Sequence, residues 1–393
     1  MPNNSIVIVG AKRTPIGAFQ GELSTLTAPQ LGSAAVAAAV AQSGIAGADI
    51  DDAVMGCCLV SGLRQAPARQ AVRGAGLPDS IPCTTLSKMC GSGMKTVMQI
   101  HDSIVAGNCS VGIAGGMESM SNAPYLLSKA RSGYRLGHGQ LLDHMFHDGL
   151  EDAYDGQLMG YYADLSAAAH GIGRGRQDAF AVESVRRAQA AIQDRVFADE
   201  IVPIEIAGRK GAIVVRTDET PGKCDLTKIP ALRPAFREDG TITPANASSI
   251  SDGAAALVLT SEMKARRWQA EPLARIVASA TYAADPQQFA VAPAPAIRKM
   301  LAKAGWTVGD VDLFEINEAF AVVTLLAMDD LGIPAEKVNI AGGACALGHP
   351  IGATGARLLV TLIHALRRRG LKRGVAALCI GGGEASAMAI ELM

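Results

Sequence analysis

CGSGMKTVMQIHDSIVAGNCSVGIAGGMES, residues 90 to 119, and GHPIGATGARLLVTLIHALRRRGLKRGVAALCIGGG, residues 348 to 383, decide the fold. In each, a glycine-containing turn enters a helical pattern, and an apolar strand pattern then runs into a glycine cluster. The helical part of the first, residues 94 to 107, spaces its apolar residues for one face and stops at Gly107, a common C-terminal signal. Two turn–helix–strand units of similar length point to a duplicated chain.

Working outward, β-branched apolar runs at 6–10 (IVIVG), 53–60 (AVMGCCLV), 109–116 (CSVGIAGG) and 255–261 (AALVLTS) read as buried strands. The Ala-rich segment 28–44 between the first two reads as a helix. The same grammar returns at 274–283, 294–305, 311–320, 337–343 and 374–383. Alternating strands and helices predict an α/β fold of two similar halves. Residues 121–250 break the pattern with Tyr, His, Asp and Arg among short helical pieces, far longer than the usual connection of about 4 to 6 residues. We therefore read residues 1–120 with 251–270 as the N-terminal half, 121–250 as an inserted loop domain carrying a binding surface, and 271–393 as the C-terminal half.

Of 393 residues, 49% are hydrophobic and 19% charged, enough to bury a large core. Lys and Arg number 36 against 37 Asp and Glu, a balance that argues against nucleic acid or a membrane surface as the main partner. The opening MPNNSIVIVG lacks a signal-peptide pattern, and the sequence has no apolar run of about 18 residues, so a soluble cytoplasmic protein is expected. Eight cysteines, without a C-x-x-C pair, predict reduced thiols.

Four motifs can carry chemistry. In SKMCGSGMK (87–95), Cys90 sits at a turn entering a helix, where the dipole favours thiolate and small neighbours admit a substrate. Alone, such a cysteine reads as a core residue. GGACALGHPIGATGAR (342–357) sets His349 among five glycines, where an imidazole can serve as base to a cysteine. It lacks the phosphate-loop pattern, and the N-terminal strand lacks G-x-G-x-x-G, which weakens nucleotide-binding readings. LCIGGGEAS (378–386) offers Cys379 and Gly381, a second thiol and a backbone N–H for an oxyanion. EINEAFA (315–321) sets Asn317 and Glu318 in apolar surroundings at a strand-to-helix junction. The histidines 138, 144 and 147, with Asp143 and Asp148, are not read as a metal site.

Together the four motifs resemble the thiolase family, whose C-G-S-G, N-E-A-F, G-H-P-x-G-x-[ST]-G and C-x-G-G-G segments all occur here in family order. The resemblance extends through 9–19, 116–125, 137–154 and 246–259, and so covers essentially the whole chain. It implies a duplicated α/β/α/β/α layered fold, each half built on a mixed five-stranded sheet. It implies an acyltransferase that condenses two acetyl-CoA to acetoacetyl-CoA, or cleaves 3-ketoacyl-CoA, with CoA and acyl-CoA as substrates and no permanently bound cofactor or metal. Cys90 matches the family nucleophile, His349 its base and Cys379 the second acid/base. Asn317 matches the residue holding a water beside His349, and the N–H groups of Cys90 and Gly381 match an oxyanion hole. Ser248 matches a pantetheine contact and Phe320 an aromatic of the same tunnel. The family also implies a homotetramer or homodimer.

Arg209, Lys210, Lys223 and Lys228 are candidates on chemistry for a rim that meets the CoA phosphates. Ala341, Ser249, Leu158, Glu384 and Ala385 depart from the common pattern. Leu158 stands where acetoacetyl-CoA thiolases often have His, which leans toward longer acyl chains. A decarboxylating ketoacyl synthase is the competing enzyme reading, and Cys379 in place of a histidine speaks against it. A non-catalytic CoA- or lipid-binding relative is the third reading.

Overall fold

The two segments that open the reading become the central helices of the molecule. A computed structural model of the chain describes residues 5–208 and 211–393. The N-terminal half supplies strands β1 (Ile6–Arg13), β2 (Asp52–Gly56), β3 (Cys83–Leu86), β4 (Val111–Ser119) and β5 (Ser251–Ser261). The C-terminal half supplies β6 (Ala274–Ala283), β7 (Leu313–Ile316), β8 (Arg373–Ile380) and β9 (Glu384–Leu392).

These strands lie in the order β3-β2-β4-β5-β1-β6-β9-β8-β7, with β3, β2 and β4 parallel and the rest antiparallel until the parallel β8–β7 pair. The order is symmetric about the β1–β6 junction, where Val7 faces Arg275 and Ile8 faces Ala274. So the two half-sheets meet edge to edge.

At 337–343, where the sequence suggests a fifth strand of the second half, pairing shrinks to a single bridge between Phe314 and Val338. Asn339 explains this. It takes a positive φ of 46° and its side chain bonds Ile316, Oδ1 accepting from the N–H at 2.9 Å and Nδ2 donating to the carbonyl at 2.8 Å. A side chain thus supplies what a strand ladder would have supplied.

Helices α1 (Ala28–Ser43) and α2 (Pro67–Gly74) cover the outer face of the first half-sheet, and share a core with Val7, Ile113 and Val258. Thr27 caps α1 through reciprocal bonds with Gln30, and Gly44 ends it at φ 67°, as the sequence predicts. In the second half, α6 (Pro293–Ala304) and α7 (Ala321–Leu331) share the equivalent outer core with Val375 and Ala387. Between the sheets lie α3 (Ser92–Val105) and α8 (Ile351–Arg369), the two helices of the duplicated segments. Their core draws Ile8 and Leu257 from one half and Leu378 and Ile390 from the other. These clusters give the five layers.

Helix α8 is buried without interruption from Ile351 to Ile363, so its first turns are enclosed by protein on every side although they include Thr354, Arg357 and Thr361. Arg367, Arg368 and Arg369 close its last turn, where cations complement the carbonyl end of the dipole. It crosses α3 at small residues. A Cβ added at Gly93 would lie 2.7 Å from the Ala356 nitrogen, and one at Gly355 would lie 2.8 Å from the Met94 Cβ. This close approach brings the N-termini of both helices side by side, with Cys90 before one and His349 before the other.

The excursion from 121 to 250 contains α4 (Met159–Ala169) and α5 (Arg174–Gln193). Asp164 of α4 accepts the N–H groups of Thr241 at 2.6 Å and Ile242 at 3.0 Å, fixing the returning strand of chain that leads to Ser248. The fully buried Arg13 of β1 ties the excursion to the sheet through Asp218, at 2.7 and 2.9 Å, and Glu200, at 2.5 Å. Breaking one member of such a buried pair costs about 3 to 5 kcal/mol.

Candidate active site

Four chain turns meet where the central helices begin. The first is Ser87–Gly91, which precedes α3. Met89 there adopts φ 46°, unusual for a residue with a side chain. Its carbonyl accepts from the Ser92 N–H at 2.9 Å, the Ser92 hydroxyl at 2.6 Å and the Cys58 thiol at 3.2 Å. The surroundings hold the strained backbone in place, as strain at a functional site requires. Cys90 follows directly, its thiol partly open to a cavity.

The second turn is Gly381–Gly383, linking β8 to β9. Gly382 and Gly383 have φ of 92° and 83°, values that disfavour any side chain. The turn places Gly381 in the same cavity wall as Cys90, and the backbone N–H groups of Gly381 and of Cys90 itself favour the thiolate. Burial still dominates and pushes the Cys90 thiol up to about 11, with the nearby Glu118 carboxylate adding to the shift. Cys379 ends β8, 1% exposed and close enough to Cys90 for the two to repel as thiolates. Burial keeps its proton on.

The third turn, Gly348–Pro350, carries His349 into α8. Its Nδ1 lies 2.7 Å from the Thr354 hydroxyl, which also lies 3.0 Å from the Pro350 carbonyl. With the hydroxyl donating to that carbonyl, Thr354 accepts from Nδ1 and Nε2 is left as a bare lone pair. That Nε2 is buried with no partner among the described residues. Burial and the Arg357 guanidinium lower His349 to about 3, so the imidazole is neutral.

Glu118 at the end of β4 locks this turn to the other half. Its carboxylate accepts from the N–H groups of Gly352 at 2.9 Å, Cys58 at 3.0 Å and Leu59 at 3.1 Å. The fourth turn follows β7 and carries Asn317. Its side chain is fully buried, and neither Oδ1 nor Nδ2 has a partner among the described residues.

Cys90, His349, Cys379, Gly381, Ser248 and Phe320 all line one cavity of about 370 Å³. Asn317 is not among the residues that line it. The excursion contributes Phe146, Leu150, Leu158, Met159, Phe236 and Ser248 to this cavity. Ser248 is held by its N–H to the Ala319 carbonyl at 2.9 Å, and Phe320 meets Phe236 and Phe289 edge to face at 6.0 and 6.1 Å. The lining is apolar apart from two thiols, an imidazole, two serines and backbone groups, suited to a long neutral arm ending in a reactive carbonyl.

Of the basic candidates, Arg209 and Lys210 lie outside the described residues. Lys223 pairs with Glu219 and Lys228 with Asp225 at 3.3 Å, and neither lines the cavity. His144 bonds Asp148 at 2.6 Å and accepts the Ser61 N–H at 3.3 Å, while His147 lies 3.5 Å from Glu151. Of the departures, Ser249 lends its carbonyl to the His349 N–H at 3.1 Å, Ala341 packs into a core, and Glu384 pairs with Lys88. Sequence reasoning missed Thr354, whose signal was its place five residues after His349 in the same motif. It also missed Phe236 and Phe289, which carry no local signal.

Two family descriptions match the chain: "Thiolase, N-terminal domain" over residues 6–263 and "Thiolase, C-terminal domain" over residues 270–392. An acetyl-CoA acetyltransferase of Chromobacterium violaceum is 47% identical over 388 residues, 98% of this chain and 99% of that protein. Acetyl-CoA acetyltransferase 2 of Arabidopsis thaliana is 50% identical over 391 residues, 99% of this chain and 97% of that protein. The crystal structure of a Bacillus anthracis acetyl-CoA acetyltransferase superimposes with a TM-score of 0.97 at 42% identity, covering 99% of each chain.

Proposed function

The chain belongs to the thiolase family, and from that premise we propose that it is an acetyl-CoA C-acetyltransferase working through an acyl-Cys90 intermediate. The observation that carries the reading is one cavity lined by two thiols and a neutral imidazole whose Nε2 has no partner among the described residues.

In the synthetic direction the Cys90 sulfur attacks the carbonyl carbon of acetyl-CoA. Its proton passes to His349 Nε2 and on to the departing CoA thiolate, leaving acetyl-Cys90 and free CoA. Cys379 then gives its proton to the again neutral His349 and, as thiolate, takes a proton from the α-carbon of a second acetyl-CoA. The resulting enolate attacks the acetyl carbon, the Cys90–carbon bond breaks, the Cys90 sulfur takes the proton back from His349, and acetoacetyl-CoA leaves. Cleavage of a 3-ketoacyl-CoA runs the same steps backward, with Cys379 protonating the acetyl-CoA enolate. The raised pKa of Cys379 favours the thiol at rest, which is the form cleavage uses.

Each oxyanion needs donors. The Cys90 and Gly381 N–H groups against Sγ support one site, and the unpaired Asn317 amide supports a role in holding water beside His349 for the other. One such donor is worth about 10² to 10³ in rate. CoA and acyl-CoA enter as substrates, with Ser248 and Phe320 along the pantetheine arm and no resident cofactor or metal.

A second reading, a 3-ketoacyl-CoA thiolase for longer chains with a place in fatty-acid metabolism, is favoured by one observation. Leu158 lines the cavity together with Leu150, Phe146 and Met159. As parts of the same proposal the enzyme is cytoplasmic and a homotetramer or homodimer. The exposed Tyr125, Leu136 and Leu141 of the excursion support an association surface, and light scattering measures the state. The central test follows the CoA-dependent loss of magnesium–acetoacetyl-CoA absorbance, and mass spectrometry of the protein after acetyl-CoA. An acetyl group on Cys90 is expected; turnover retained in Cys90→Ala would overturn the proposal.

A further inference from the structure

Lys88 and Glu384 form an ion pair across 296 residues of sequence, between the turn that carries Cys90 and the strand that follows Gly381–Gly383. Both side chains are partly shielded, the lysine more than the glutamate. Glu384 departs from the common family pattern, so its role is not supplied by the resemblance.

The geometry around the pair is what gives it consequence. Lys88 is fixed at the backbone: its N–H donates to the Ser92 hydroxyl at 2.8 Å, and its carbonyl accepts the Gly91 N–H at 3.0 Å. It therefore moves with the Cys90 turn and the start of α3. Across the gap, the three glycines have no side chain with which to hold their turn. Gly383 is anchored on one side, its carbonyl accepting the Ala284 N–H at 2.9 Å. Glu384 is the first side chain after the turn, and the ion pair is its tie toward the nucleophile. Between the two turns there is little slack, since a Cβ at Gly91 would lie 3.0 Å from the Ile380 Cγ1.

We propose that Lys88 and Glu384 are positioning residues, a clamp between the two halves that sets the distance from the Gly381 N–H to the Cys90 sulfur. Neither touches the reacting atoms. An exposed ion pair contributes little to stability, so the effect is expected in the rate rather than in the folding. The inference rests on the acyl-Cys90 reading, and the test separates the two.

Glu384→Gln, Lys88→Met and the reversed pair Lys88→Glu with Glu384→Lys are compared with wild type. In each single variant kcat is expected to fall roughly 10-fold, part of the 10² that a displacement of about 1 Å can cost, with KM for acetoacetyl-CoA little changed. Because the Gly381 N–H favours the thiolate, the pH profile of Cys90 alkylation is expected to move upward in the single variants. The reversed pair is expected to restore most of both. Unchanged kcat and alkylation profile in the single variants overturn the clamp, as does a loss that only tracks a fall in melting temperature. Acetylation of Cys90 by acetyl-CoA in wild type is scored separately, and its failure would sink the mechanistic reading instead.

Discussion

His349 Nδ1 lies 2.7 Å from the Thr354 hydroxyl, which also reaches the Pro350 carbonyl at 3.0 Å. With the hydroxyl donating to that carbonyl, the ring proton sits on Nδ1 and Nε2 is the free nitrogen. Thr354→Val removes the acceptor, lets the ring choose its tautomer, and is expected to lower kcat roughly 10-fold, a fraction of the 10² to 10³ or more that a positioned base supplies. Thr354→Ser keeps the bond and is expected to stay near wild type. Steady-state kinetics of the two variants decide it, and equal activity in both would remove Thr354 from the mechanism.

Burial raises Cys90 to about 11 and lowers His349 to about 3, so both are neutral in the resting site. A raised thiol pKa means the thiolate fraction grows about tenfold per pH unit until that pKa is reached. Alkylation of Cys90 by iodoacetamide without acyl-CoA is expected to accelerate continuously through alkaline pH and to level only near 11. A plateau below the ordinary thiol pKa of about 8.5 would contradict this.

The two thiols are expected to separate by step. Cys90→Ser should take up no acetyl group and lose activity by on the order of 10⁴ or more, as loss of a covalent nucleophile does. Cys379→Ser should still be acetylated at Cys90 while carbon–carbon bond formation and cleavage fall by roughly 10² to 10⁴. Mass spectrometry beside turnover distinguishes these; an unacetylated Cys379→Ser protein would place Cys379 in the first half-reaction.

Packing at the helix crossing is expected to be unforgiving. Gly355→Ala puts a methyl 2.8 Å from the Met94 Cβ, and overpacking of this kind costs about 1 to 3 kcal/mol. Urea unfolding should show the midpoint fall, with activity falling too, because the same crossing aligns the Cys90 and His349 turns. A neutral result would mean the helices slide apart freely.

Leu158 is expected to set chain length together with the other apolar side chains of the excursion. Leu158→Ala should raise kcat/KM for six- and eight-carbon 3-ketoacyl-CoA relative to acetoacetyl-CoA, by roughly 10-fold for each added pair of methylenes accommodated. A kcat/KM series over chain length measures it. An unchanged ratio would assign the preference elsewhere in the cavity.

Much of this was local and therefore legible. Helix spans such as Ala28–Ser43 followed from apolar spacing and the closing glycine, because those signals act within a few residues. The glycines after Cys90 and after Cys379 announced their turns for the same reason. The reading went astray where one side chain replaced a ladder, as at Asn339, since nothing in KVNIAGG marks a residue whose partner is Ile316 on another strand.

The sequence by itself carried the α/β alternation and its duplication, and its motifs offered Cys90, His349, Cys379 and Gly381 as candidate site residues, because repeat length, periodicity and motif are properties of neighbouring residues. Only the tertiary structure decided what those groups face. The α3–α8 crossing brings their turns together, Thr354 selects the His349 tautomer, burial sets the protonation of both thiols, and Lys88 meets Glu384 from the far end of the chain. Each of these depends on distance and solvent exclusion, which exist only once segments far apart in sequence have packed.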